Sequence, residues 1–303
     1  MDTNRTKFSI WMQALRPFSY TASVIPVLLG AMITLVFYDA IVNWPLMIVI
    51  GLGSPLFQVA GNLLSEYYDF IHKVDRVETF GSSRVLIEGL LQPKQVFRAG
   101  IGVIVLLFAI GMILVYFRGI PMLVIGLIGI FASLFYTVFK YRAMGDFLIY
   151  LTFGPLMVFG TTYALIGNYD LLVTSLILSI PVGFLVTAIL HANNTRDIMH
   201  DTEAGIKTLA STLGLKGAQN EYYFLIFGSF LSVVIFIILG LVSPWSLIVF
   251  LSIMPALKNV KSMATAEVKT PAKIEMLDVM TAQHHMLFGL LFSISILIME
   301  FIK

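Results

Sequence analysis

The chain has no cysteine among its 303 residues, which excludes disulfides, thiolate metal sites and a cysteine nucleophile. Charge is scarce too: Asp, Glu, Lys and Arg make up 12% of the residues, against about a quarter in an ordinary soluble domain. The start of the chain is not expected to act as a cleaved leader. Met1–Arg16 is polar, and the following apolar run, Ser19–Phe37, is too long for a signal core. A net charge of +2 says little about partners, and no nucleic-acid partner is expected.

What the chain has in abundance is apolar length. It is 58% hydrophobic with a mean hydropathy of +0.93. Nine segments are each read as able to cross about 30 Å of hydrocarbon: Ser19–Phe37, Trp44–Leu64, Phe97–Phe117, Ile120–Phe139, Phe147–Ile166, Leu171–Leu190, Tyr222–Leu241, the short Pro244–Leu257, and Ala282–Ile302. The fold class expected is an all-α integral membrane protein with nine transmembrane helices in a single intramembrane domain. The basic residues orient it. With the N-terminus in the cytoplasm, only Arg118 and Lys303 of the 19 Lys and Arg fall outside, a strong positive-inside bias. An eight-span reading destroys that asymmetry. The expected location is the inner (cytoplasmic) membrane, with the C-terminus outside.

The polar residues gather in two runs at span ends. The first holds Asn62, Glu66 and Asp69, spaced by four and three on one helical face, with Asp75 beyond. A polar stripe at that depth is costly against lipid and is expected to face a cavity. The second run, His191 to Lys207, carries Asp197 and Asp201, again four apart, with Arg196 and Lys207 beside them. An acid pair of this kind can be a solvated loop. Two carboxylates with open positions are also how proteins hold magnesium, which leaves its other positions to phosphates and water. Facing each other, the two runs would hold two magnesium ions gripping a diphosphate. A ring of Arg84, Lys140, Arg196 and Lys207 would complete the clamp, above an apolar chamber suited to a hydrocarbon tail.

Other features leave alternatives open. Arg16 either snorkels to lipid phosphates or points into a cavity. The N-terminal approach reads as an interfacial helix, and so does part of Asn259–Met280. The connection Arg76–Gln95 is long enough to be functional or disordered. Gly154-Pro155 and Pro181-Val182-Gly183 interrupt two spans, a pattern that often flanks cavities. Tyr67 and Tyr68 read as belt aromatics, and one of His284 and His285 as a hydrogen-bonding group within the bundle. Both acidic runs leave even-numbered spans, which suggests a weak, compositional duplication of four-span units, roughly 19–139 and 147–257, plus a ninth span.

Several motifs resemble those of the UbiA superfamily of intramembrane aromatic prenyltransferases. The most specific is Asn193-Asn194-Thr195-Arg196-Asp197, continued by Asp201, Gly205 and Lys207-Thr208-Leu209. It is supported by Asn62–Asp69, Gly81–Leu90, Gly154–Val158, Leu15–Pro17 and the stretch from Thr281 to His285. Within the family the chain looks most like dihydroxynaphthoate polyprenyltransferases of menaquinone synthesis. The resemblance implies a UbiA-type bundle with a cytoplasmic cap, and Mg2+-dependent transfer from a polyprenyl diphosphate to 1,4-dihydroxy-2-naphthoate. It implies Asp69, Asp75, Asp197 and Asp201 as magnesium-facing carboxylates, with Asp69, Asp197 and Asp201 central to catalysis. Arg84, Lys140 and Lys207 would contact diphosphate, and Arg16 and Asn194 the acceptor. The first motif departs from the common pattern, with Ser65 and Glu66 where Asn and Asp are usual. Glu66 and Asn62 are therefore the expected replacements in that ligand set. Phe57, Tyr68, Phe153 and Tyr163 are candidates to face an allylic cation. Two other readings stay open: a family member with another acceptor, such as homogentisate, 4-hydroxybenzoate or a glycerol phosphate lipid, and a divalent-cation transporter.

Overall fold

Backbone groups inside a bilayer have no water to bond, so apolar segments of this length must close their hydrogen bonds within themselves as helices. The computed structural model describes residues 5–38, 43–74, 83–168 and 173–302. Among them there is no strand, only one isolated bridge between Arg142 and Lys207. Asp75, Gly81, Ser82 and Leu171, singled out above, lie outside the described residues.

A short helix, α1 (Lys7–Leu15), is capped by the Thr6 hydroxyl, which accepts from the Ser9 N–H. The spans follow: α2 (Pro17–Phe37), α3 (Trp44–Ile71), α4 (Pro93–Arg118), α5 (Ile120–Lys140), α6 (Gly145–Ile166) and α7 (Val173–Arg196). After the short α8 (Ile198–Glu203) come α9 (Leu209–Ile238), α10 (Pro244–Ala264) and α11 (Pro271–Phe301). Among the described residues, nine helices are thus long and apolar enough to cross a membrane.

The apolar run at Pro244 spans despite its shortness because its first part is wound more tightly. Pro244–Ser252 is a 3-10 helix that passes into the α-helix Ile253–Ala264. At about 2.0 and 1.5 Å per residue these add to about 36 Å. That continuation absorbs residues expected in an interfacial helix. Asn259 and Met263 are buried, and Gln219 of α9 donates to the Met263 carbonyl at 3.1 Å. Only a short turn then leads into α11. On α9 the helix starts well before the apolar run, capped by Thr208 and bent at Gly214 (φ 67°).

The enclosed centre is built from α2, α7, α9 and α11, where Ile25, Leu29, Val182, Leu185, Tyr222, Ile226, Phe288 and Phe292 are buried together. By contrast α4 and α5 are peripheral. They turn Tyr116, Phe117, Phe131 and Phe135 outward, as side chains facing lipid do. The two interruptions read from proline and glycine meet each other. Thr152–Leu156 forms a π-helical turn around Pro155. There α6 approaches α7 so closely that a Cβ on Gly154 would lie 2.9 Å from the Gly183 Cα. Small residues permit such contacts in membranes. Alternating span directions bring the C-terminal ends of α3, α5 and α7 together with the N-terminal ends of α2, α6 and α11. Every charged contact described next lies at that end.

Candidate active site

A cavity of about 290 Å³ opens between these ends. Its polar wall carries Arg16, Asn62, Glu66, Asp69, Lys140, Asn193, Asp197, His200, Asp201 and Asp278. Its extension is apolar and runs among α3, α4, α5 and α6 past Ile50, Phe57, Ile110, Leu114, Met122 and Phe153.

The face read on α3 is the one turned to the cavity. Asp69 is buried and accepts from the Tyr141 hydroxyl at 2.6 Å, the Lys140 ammonium at 3.3 Å and the Ser65 hydroxyl at 3.2 Å. Glu66 accepts the Ser83 N–H at 2.8 Å, while Gln13 donates to the Ser83 carbonyl at 2.7 Å. The described part of the long loop is therefore no open strap. It is tied to α1 and α3, with Val85 and Leu86 buried against Ala14, Val59 and Leu63. Asn62 donates to the Leu15 carbonyl and the Ser19 hydroxyl at 3.0 and 2.9 Å, so its amide nitrogen fixes the start of α2. The residue between α1 and α2, Arg16, is left-handed (φ 51°) and precedes proline, a conformation that costs energy. Its side chain points into the cavity, over the Phe18 ring at 5.3 Å and 3.8 Å from the Asp278 carboxylate.

Across the cavity stand Asp197 and Asp201. Asp201 is buried and accepts from the Thr208 hydroxyl at 3.3 Å. Burial pushes its carboxyl up to about 7; nearby Asp197 and Asp69 push the same way, and the Lys140 cation only partly offsets them. Lys140 thus sits between the two acidic runs. Among the described residues no three His, Asp or Glu side chains converge on a single metal-sized point.

The expected cationic ring is not assembled. Lys140 alone of the four lines the cavity. Arg196 is turned behind the site with its donors used: both Asp197 oxygens at 3.0 and 3.1 Å, the Glu275 carbonyl at 3.0 Å, Asp278 at 3.4 Å, and the Asn193 side chain. Arg84 pairs with Glu88 at 3.2 Å, and exposed Lys207 lies on an outer shallow depression with Thr202 and Ser211. Asn194 faces away from the cavity, towards Asp146. Phe57 and Phe153 line the cavity. Tyr68 and Tyr163 do not, and Tyr163 donates to the Arg118 carbonyl at the opposite end.

Sequence reasoning missed Asp278, Asn193, His200 and Tyr141. Asn193 and His200 sit within the motif and could have been found from helical phase. Nothing in the sequence joins Asp278 to a motif 82 residues away.

Among the described residues, a helical bundle whose carboxylates and lysine cap an apolar chamber offers a charged end and a greasy end in one cavity. The chain belongs to the UbiA prenyltransferase family, whose model matches residues 23–277. It is 30% identical over 296 residues to 1,4-dihydroxy-2-naphthoate octaprenyltransferase of Bacillus subtilis (strain 168), covering 96% of this chain and 93% of that one. It is 36% identical over 235 residues to UbiA prenyltransferase domain-containing protein 1 of Mus musculus, covering 75% and 68%. A UbiA homolog from Archaeoglobus fulgidus, solved bound to DMAPP and Mg2+, shares the fold with a TM-score of 0.59 at 15% identity, over 94% of this chain and 99% of that one. The chain is therefore a prenyltransferase, and the ion-transport reading is set aside.

Proposed function

We propose that the protein transfers a polyprenyl group from a polyprenyl diphosphate to 1,4-dihydroxy-2-naphthoate, releasing diphosphate and CO2 and giving demethylmenaquinol for menaquinone biosynthesis. The observation that carries this is the single cavity joining Asp69, Lys140, Asp197 and Asp201 to an apolar extension. The acceptor is supported by the similarity to the Bacillus subtilis enzyme over nearly the whole chain.

The donor set fits Mg2+. It is all oxygen, and burial, together with nearby Asp197 and Asp69, pushes the Asp201 carboxyl up to about 7 despite the Lys140 cation. Asp69 on one wall and Asp197 and Asp201 on the other would hold magnesium, one or two carboxylates to each ion, with Glu66 and Asn62 beside Asp69. When bound, magnesium neutralises charge on the departing diphosphate oxygens. Lys140 adds a positive charge between the acidic runs, and the apolar walls seat the tail and keep water from the cation. Cleavage of the allylic C–O bond leaves its electron pair on diphosphate. Phe57 and Phe153 offer ring faces to the cation. A carbon of the electron-rich naphthoate ring supplies the pair for the new C–C bond, and loss of the ring carboxylate as CO2 restores aromaticity. The positive-inside bias supports a site facing the cytoplasm, in the inner membrane, with the C-terminus outside.

The test is purified protein with a polyprenyl diphosphate and a panel of aromatic acceptors, read by mass spectrometry. Dihydroxynaphthoate should be prenylated with loss of CO2. Preferential prenylation of homogentisate or 4-hydroxybenzoate would replace the acceptor and keep the reaction class.

A further inference from the structure

Behind the cavity lies a second polar cluster that the reaction does not touch. His191, Asn194 and Asp146 are at most 3% exposed, and none of them lines the cavity. The Asp146 carboxylate takes a hydrogen bond on each oxygen, from His191 Nδ1 at 2.5 Å and from Asn194 Nδ2 at 3.1 Å. The other ring nitrogen of His191 faces the Ala218 carbonyl at 2.9 Å. A carbonyl only accepts, so that nitrogen carries a hydrogen. One cluster therefore ties α6, α7 and α9 together.

Its position relative to the site gives it a role. Asn193 of α7 and Asp197, which caps the C-terminal end of that helix with its N–H on the Asn193 carbonyl, both face the cavity, while His191 and Asn194 are three apart and share another face. Neighbouring positions differ by about 100° of rotation, so anchoring His191 and Asn194 fixes which way Asp197 points. Asp146 lies in the first turn of α6, just after the turn from Lys140. There Gly145 packs so closely that a Cβ would lie 3.2 Å from the Lys140 Cα. Holding Asp146 against α7 therefore also sets Lys140 relative to Asp197 and Asp201.

We propose that Asp146, His191 and Asn194 form a positioning latch that sets the phase of α7 and its spacing from Lys140, and through them the affinity of the site for metal and diphosphate. The latch rests on the metal–diphosphate reading above. Its residues are positioning residues, because none of them lines the cavity. Groups standing behind metal ligands typically alter affinity by about 10–100-fold.

The probe is Mn2+ with inorganic diphosphate, its binding read by electron paramagnetic resonance on the purified full chain. No turnover or acceptor is needed. Asp146→Asn and His191→Gln should each weaken Mn2+ binding by about tenfold or more in protein that elutes as a single folded species. Folded variants that bind Mn2+ as the unmodified protein does overturn the latch, and so does weakening only in proportion to lost folded protein. If both variants fail to fold, Asn194→Ala, which keeps the Asp146–His191 pair, carries the test. It should weaken binding in the same direction, and an unchanged affinity overturns the proposal. Failure of the unmodified protein to bind Mn2+ would bring down the metal–diphosphate reading together with the latch. Normal binding there and in the variants brings down the latch alone.

Discussion

If Asp201 is a magnesium ligand, as proposed, binding the metal releases a proton, and the environment of Asp201 sets the pH at which this shows. In the metal-free protein the carboxyl is held up to about 7, from an ordinary value of 3.8, because it is buried and faces Asp197 and Asp69. An unfolded chain loses that proton near its ordinary value. The folded state thus binds more protons between 3.8 and about 7, so metal-free stability falls as pH rises through that window. The full span corresponds to about 4 kcal/mol. Magnesium bound at Asp201 would oppose this trend by favouring the carboxylate. If the metal needs Asp201 ionised, half-saturating Mg2+ should rise about twofold from pH 8 to 7 and about tenfold from pH 8 to 6. The assay is the thermal midpoint of detergent-solubilised protein titrated with Mg2+ alone, so that protonation of diphosphate does not enter. A half-saturation point that stays constant from pH 8 to 6, or that improves at low pH, refutes the reasoning.

Three further outcomes are expected. Glu66→Asp should be tolerated, whereas Glu66→Gln should shift half-maximal Mg2+ to higher concentration. Overlaid titrations would leave Glu66 only its bond to Ser83. Gly154→Ala should lower the thermal midpoint, because its Cβ would stand 2.9 Å from the Gly183 Cα, an overpacking that costs about 1–3 kcal/mol; an unchanged midpoint contradicts that packing. A reporter active only in the cytoplasm should stay silent when fused after Lys303, and a strong signal would mean the orientation is misread.

Hydropathy made the spans legible because bilayer thickness imposes one length on all of them. It underestimated α10, since a run of side chains does not reveal that Pro244–Ser252 rises at the 3-10 rate. The carboxylate faces were equally readable, because four- and three-residue spacings fix helical phase: Asn62, Glu66, Asp69, Asp197 and Asp201 all line one cavity. The cations were not readable in this way. Long basic side chains take whichever acid the tertiary packing offers, and Arg196 found Asp197 and Asp278. The split between Asn193 and Asn194, one facing the cavity and one facing Asp146, depends on the rotation of α7. Contacts with α6 and α9 set that rotation, and they lie far away in sequence.

Opposed carboxylates on α3 and at the junction of α7 and α8 are proposed to hold a magnesium–diphosphate head above an apolar chamber. Release of inorganic diphosphate from a polyprenyl diphosphate, measured with dihydroxynaphthoate for the unmodified protein, Asp197→Asn and Asp201→Asn, tests this proposal most directly. Release should require Mg2+, match prenylated product one for one, and be lost in both variants while they remain folded. Release that persists in both variants, or without a divalent metal, would contradict it.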